Sequence, residues 1–117
     1  MTNIRRIGAG ARMSKAVVRG NAIYTAGQVA DKTKGGPVAD QTREVLDLID
    51  ELLAEAGSDK SRILSATIYL SDISTFAEMN SVWDVWVDKV NPPARATVEA
   101  KLVTPDYKVE IAVIAAA

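Results

Sequence analysis

Two charged residues near the carboxyl-terminal end lie within segments that are otherwise mostly apolar. Arg95 follows Pro92-Pro93 in residues 94–101, where small apolar side chains alternate with polar ones. Glu110 interrupts the apolar run of residues 109–116. A carboxylate among apolar neighbours needs an ionic or hydrogen-bonding partner. We therefore expect Arg95, from the preceding strand, to approach Glu110.

The chemistry open to these side chains is limited because the chain contains no histidine and no cysteine. Ser-His-Asp and Cys-His nucleophilic sites, histidine bases and ordinary zinc sites are excluded. No calcium-binding loop pattern is present, and we expect no metal. An arginine can still bind a carboxylate through two parallel hydrogen bonds, and a carboxyl group can relay a proton through water.

Composition also limits the partners. Fourteen basic and fifteen acidic residues give a net charge of −1, which provides no electrostatic reason to expect nucleic acid or an anionic membrane. No apolar run reaches the roughly 18 residues of a membrane span, and the amino terminus does not resemble a signal peptide. We expect a cytoplasmic protein with one domain over residues 1–117.

The hydrophobic pattern alternates between periods typical of strands and of helices. The predicted elements are strands at 16–19 and 22–26, a helix at 40–56, a strand at 63–70, a helix from residue 76, and strands at 94–101 and 109–116, with 4–7 as an additional edge strand. Gly20-Asn21 predicts a type II′ hairpin turn. Asp40 and a capping box from Thr75 are the predicted helix starts, and Gly57 suits the end of the first helix.

These elements predict an α+β fold with two helices packed on one face of a mixed sheet. The second helix carries an apolar stripe of residues 76, 79, 83, 86 and 90, and its two tryptophans are expected in the core. In strand 94–101 we expect the Ala94, Ala96 and Val98 side to face the helices and Arg95 to face away. The other sheet face is also apolar, so self-association is expected.

Two further polar or flexible positions have more than one interpretation. Gly27 either ends a strand, marks a bulge, or leaves room for a ligand near the backbone. Asn80, on the second helix, points either to solvent or to a neighbouring subunit. Arg95 itself either binds a ligand, forms a structural ion pair with Glu99 or Glu110, or is a solvated residue on a sheet edge.

Four short motifs together resemble the RidA (YjgF) family of reactive-intermediate deaminases, formerly described as endoribonuclease L-PSP. They are Gly27-Gln28, Phe76-x-x-Met79-Asn80, Pro93-Ala94-Arg95-x-x-Val98-Glu99 and Val109-Glu110-Ile111. The resemblance extends over residues 16–115. It implies a chorismate-mutase-like α+β fold and a homotrimeric barrel with its helices outside. It further implies sites in clefts between subunits and no cofactor.

The resemblance also implies an activity, the hydrolysis of 2-imino acids such as 2-iminopropanoate and 2-iminobutanoate to 2-oxo acids and ammonia. In that interpretation Arg95 binds the substrate carboxylate and Glu110 positions or activates water. Asn80, Gly27 and Thr97 correspond to positions that line the same cleft.

The chain departs from the family pattern at three positions. Met13 replaces a tyrosine, Ala26 a serine and Thr97 a cysteine. These changes favour an alternative, a non-catalytic protein that binds a 2-oxo acid or amino acid in the same cleft. A ribonuclease activity is a third interpretation, which the net charge of −1 and the lack of histidine disfavour.

Overall fold

The computed structural model describes residues 3–117 and consists of one seven-stranded sheet with two helices against one face. The strands are β1 (Ile4–Ile7), β2 (Ala16–Arg19), β3 (Ala22–Thr25), β4 (Gln28–Val29), β5 (Ile63–Leu70), β6 (Ala94–Glu99) and β7 (Val109–Ala116). The helices are α1 (Val38–Glu55) and α2 (Phe76–Trp86). The predicted α+β class and element order are confirmed, while β4 was not predicted.

The sheet is mixed, with the strand order β1-β2-β3-β7-β5-β6 and with β4 paired to β7. Only β5 and β6 are parallel, because α2 carries the chain back across the sheet between them. The β2–β3 turn is Gly20-Asn21, with φ of 59° at the glycine, which agrees with the predicted type II′ turn. Within residues 3–117, neither helix is long and apolar enough to cross a bilayer.

Alternation along β5 and β7 divides the sheet into a helix-covered face and an open face. Every second residue of β7, from Val109 to Ala115, is buried beneath the helices together with the apolar stripe of α1. The open face keeps large apolar side chains exposed, among them Tyr24, Val98 and Ile114. The second apolar face predicted from the sequence is therefore present.

One residue of β5 departs from the predicted alternation. Regular alternation would place Leu64 on the same face as Ala66, but Leu64 is exposed while Ile63 is buried. The pairing with β7 shifts register between Ile63 and Ser65, and such a bulge reverses the direction of the side chains on its two sides.

Both predicted N-terminal helix caps were wrong, while the predicted end of α1 at Gly57 is confirmed. Helix α1 begins at Val38, and the residue before it, Pro37, has no polar side chain that could cap the helix. Asp40 instead pairs with Arg43 at 3.0 Å. Thr75 forms no side-chain cap on α2, and Glu78 accepts a hydrogen bond from the Ala39 N–H of α1 at 2.9 Å.

Helix α2 is also shorter than its predicted stripe, since it ends at Trp86 and leaves Val90 87% exposed. The expectation that the tryptophans pack inside is confirmed for Trp83, which is 5% exposed. Trp86 is half-buried and its indole N–H donates to Asp50.

Glu44 of α1 holds the loop of residues 31–37. Its carboxylate accepts hydrogen bonds from the Lys32 and Thr33 N–H groups, at 3.0 and 2.8 Å, and from the Thr33 hydroxyl at 2.8 Å. Partial burial raises the pKa of Glu44, but these hydrogen bonds and the Lys32 charge outweigh it and hold the pKa below its ordinary value of 4.5.

We predict that Glu44→Gln destabilises the protein by about 1 kcal/mol at neutral pH, a value reduced for solvent exposure. A lowered native pKa stabilises the fold fully above pH 4.5, and this contribution is lost as the pH falls through the native value. Urea unfolding of both proteins from pH 7 to pH 3 should show the difference shrinking below pH 4.5. Asp47→Asn, on the exposed side of the same helix, is the control and should show a smaller difference at every pH.

Candidate functional site

Arg95 of β6 lies on the helix-covered face and contacts α2. Its Nη1 donates to the Asn80 Oδ1 at 2.8 Å, and its guanidinium carbon lies 5.1 Å from the Trp83 ring centre and 5.6 Å from that of Phe76. The expectation that Arg95 faces away from the helices was wrong. Its register partner Ala66 is buried under the helices, so the two side chains share that face.

The surroundings of Arg95 leave its charge without a carboxylate partner. Among the described residues the only ion pair is that between Arg43 and Asp40. Arg95 therefore forms no ion pair with Glu99 or Glu110, which the sequence had offered as structural alternatives. Asn80 is neutral and uses one of the five N–H donors, while the two rings offer their negative faces. This half-buried guanidinium can therefore bind an anion, to which its remaining N–H groups would donate hydrogen bonds.

Thr97 lies two residues along the same strand and on the same face as Arg95. Its hydroxyl oxygen is buried and has no hydrogen-bond partner among the described residues. A buried hydroxyl without a partner costs about 1–3 kcal/mol, so a ligand or water that reaches it is favoured. One group of polar side chains on this face thus comprises Arg95, Asn80 and Thr97.

Glu110 of β7 lies on the open face, aligned with Tyr69 of β5. It borders a cavity of about 360 Å³ together with Gly27, Tyr69, Ala112 and residues 100–103. Gly27 lies between β3 and β4, and a Cβ atom at this position would overlap the Glu110 carboxyl group. The glycine is needed for this close approach of the Glu110 side chain to the backbone, a role that the sequence did not suggest.

The two halves of the predicted site are on opposite faces of the sheet within one chain. Arg95 aligns with Ala66 and Glu110 with Tyr69, and these two residues of β5 point in opposite directions. The expectation that Arg95 approaches Glu110 was therefore wrong for a single chain. The structure brings Arg95, Asn80 and Thr97 together, and it separately brings Gly27 and Glu110 together.

The aromatic platform under Arg95 was not predicted from the sequence. Phe76, Asn80 and Trp83 are spaced by four and three residues, so one face of α2 presents all of them to β6. This spacing can be seen in the sequence, but the apolar residues of the helix were interpreted as a stripe that packs into the core. Of the positions where the chain departs from the family pattern, Met13 is exposed on the loop between β1 and β2, and Ala26 lies beside Gly27.

Comparisons with known proteins agree with this architecture. The family model described as endoribonuclease L-PSP matches residues 3–117. A RutC family protein of Haemophilus influenzae is 53% identical over 96% of this chain and 97% of its own length. The RutC family protein YoaB of Escherichia coli is 44% identical over 97% of both chains.

Solved structures give the same assignment. A YjgF family protein from Neisseria meningitidis superposes with a TM-score of 0.94, at 46% identity, over 97% of this chain and 94% of that one. A Mycobacterium tuberculosis member of the YjgF/YER057c/UK114 family has a TM-score of 0.88 at 27% identity, over 98% of this chain and all of that one. The chain belongs to the endoribonuclease L-PSP family, which is the YjgF/RidA family, and has the α+β fold of its members.

We predict that Gly27→Ala displaces the Glu110 carboxyl group, because the new methyl group would lie 2.8 Å from the carboxyl carbon. The flexible side chain can rotate away, so the fold should persist. Crystal structures of the variant and of Gly10→Ala are the measurement. At Gly10 the nearest atom would be 3.7 Å away, so this control should leave Glu110 in place. An unmoved Glu110 in Gly27→Ala would contradict the packing role of the glycine.

Proposed function

We propose that this protein hydrolyses 2-imino acids to 2-oxo acids and ammonia in clefts between copies of the chain. The observation that carries the proposal is the Arg95 guanidinium, which lies over two aromatic rings with the neutral Asn80 as its hydrogen-bond partner. Such a group favours a small planar anion, and the carboxylate of a 2-imino acid fits its two-pronged geometry.

A second copy of the chain completes the proposed site. Glu110 and Gly27 belong to the open face, which also exposes Tyr24, Val98 and Ile114. Burying those apolar side chains against another copy stabilises an oligomer, and the family resemblance favours a trimer. In the assembly we propose, Arg95 of one subunit and Glu110 of a neighbour face the same ligand.

The reaction requires water to add across the carbon–nitrogen double bond. Arg95 holds the carboxylate and orients the neighbouring imine carbon. Glu110 accepts a proton from the attacking water and passes it to the nitrogen, which gives a carbinolamine. Glu110 then carries the hydroxyl proton to the amino nitrogen, so that the carbon–nitrogen bond breaks, the carbonyl forms and ammonia leaves. These steps use only side chains that the chain supplies and water.

A coupled assay tests this activity. An amino-acid oxidase or a threonine dehydratase generates the imine, and semicarbazide traps what has not been hydrolysed. Faster loss of imine in the presence of the protein supports the proposal. An unchanged rate at saturating protein would contradict it.

A second candidate function is the binding of a 2-oxo acid or amino acid without catalysis. Met13, Ala26 and Thr97 favour it, because they replace three polar or reactive side chains of the family pattern. Calorimetric binding of 2-oxobutanoate without any rate enhancement in the coupled assay would select this function.

We predict that Arg95→Ala weakens 2-oxobutanoate binding, or lowers kcat/KM, by roughly 30- to 3,000-fold. The reason is that truncating one partner of a desolvated charged pair costs about 2–5 kcal/mol. Arg95→Lys should recover only part of this, since an ammonium does not reproduce the planar fork. Calorimetry and steady-state kinetics are the measurements, with sedimentation to confirm the assembly. Arg43→Ala, which removes an exposed arginine of α1, is the control and should bind normally. Normal binding by assembled Arg95→Ala would remove Arg95 from the site.

We predict that Glu110→Gln keeps ligand binding but lowers kcat by about 100-fold or more, because the amide preserves shape and cannot accept the proton. Glu51→Gln, on α1, is the matched control and should retain full activity. Comparison of kcat and of 2-oxobutanoate affinity separates the two effects. Full turnover by Glu110→Gln would leave Glu110 with a structural role alone.

A further inference from the structure

Gln41 is a fully buried polar side chain that the proposed chemistry does not use. It lies in the first turns of α1 and is 0% exposed. Its amide nitrogen donates to the Gly36 carbonyl at 3.2 Å and to the Asp106 carbonyl at 2.9 Å. Its amide oxygen accepts from the Lys108 N–H at 2.9 Å. One side chain therefore ties α1 to two loops, residues 31–37 and residues 100–108.

The chemistry of these contacts requires an amide. Both N–H donors point at carbonyl oxygens and the oxygen faces an N–H group, so a glutamate would place an acceptor against acceptors. The Asp106 carbonyl also accepts from the Gly35 N–H at 2.8 Å, which closes the junction between the two loops. Gln41 is thus the centre of a buried polar junction that is fully hydrogen-bonded.

This junction anchors one end of a wall of the Glu110 cavity. Residues 100–103 line that cavity, and Lys108 lies two residues before Glu110. At the near end of the wall the Ala100 N–H donates to Leu70 at 2.9 Å. Residues 101–103 make no hydrogen bond to the rest of the described chain, and Val103 is 86% exposed. The wall is therefore held at its ends. At the far end Gln41 acts together with the Ser71 N–H, which donates to the Lys108 carbonyl at 3.1 Å, and with the Tyr107 hydroxyl, which bonds to Asp31.

We propose that Gln41 is a positioning residue for the Glu110 cavity, acting through the loop of residues 100–108. It touches no ligand itself. Its amide fixes Asp106 and Lys108, and these in turn set where residues 101–103 and Glu110 lie. The claim that this cavity receives the ligand rests on the proposed function. The claim that Gln41 anchors the cavity wall is independent of it.

The test compares Gln41→Met and Gln41→Glu with Thr42→Val. Thr42 is the matched control because it is equally buried on the same helix, but its hydroxyl bonds to the Val38 carbonyl of α1 and not to a loop. Gln41→Asn, which withdraws the amide by one methylene group, serves as a further variant if the first two do not fold. Hydrogen exchange, calorimetry and steady-state kinetics are measured on the assembled protein.

Loss of the anchor should speed hydrogen exchange at the hydrogen-bonded amides of Asp106 and Tyr107 in the Gln41 variants and not in Thr42→Val. The affinity for 2-oxobutanoate should fall by about 5- to 30-fold, the equivalent of one or two lost hydrogen bonds, and KM should rise more than kcat falls. A folded Gln41 variant with wild-type exchange in this loop would overturn the proposal. So would equal changes in Thr42→Val, which would show a general loss of stability.

The exchange measurement also keeps this inference separate from the proposed function. A wild-type protein that neither hydrolyses imines nor binds 2-oxobutanoate would contradict the function. Exchange at the Asp106 and Tyr107 amides would then still decide whether Gln41 holds the wall.

Discussion

The alternation of side chains across one sheet is the constraint on which the candidate site depends. Strand β6 pairs in parallel with β5, and the register aligns Arg95 with Ala66 on the helix-covered face. The same strand β5 aligns Tyr69 with Glu110 on the open face. A slip of one residue would exchange the faces and expose the core, so the register is strongly specified. The backbone thus holds the arginine and the glutamate of one chain apart, and the function proposed above joins them across two copies of the chain.

That separation gives each half of the site its own support. Arg95 keeps its charge half-buried without a carboxylate because two aromatic rings and Asn80 face it, and its remaining N–H donors are the ones that the proposed function assigns to an anion. Glu110 keeps its position because Gly27 leaves space for its carboxyl group. The buried Gln41 junction holds the loop that closes the same cavity. Each half is therefore positioned by rigid elements of the chain to which it belongs.

Much of the fold could be predicted because it follows from local periodicity and turn chemistry. The hairpin at Gly20 and the end of α1 at Gly57 depend on positive φ angles that glycine adopts without strain. The direction of Arg95 could not be predicted in this way, since both faces of the sheet carry apolar residues and the pattern specifies alternation but not which face the helices cover. The Gln41 junction was invisible as well, because its three partners lie 5, 65 and 67 residues away in the sequence.

The most direct test of a site shared between copies is complementation between two inactive variants. Arg95→Ala and Glu110→Gln chains are unfolded together in equal amounts, refolded, and assayed for imine hydrolysis. In a random assembly about one quarter of the clefts combine an intact Arg95 from one chain with an intact Glu110 from its neighbour, so about a quarter of the wild-type activity should return. Activity no greater than the average of the two variants refolded separately would contradict a site built from two chains.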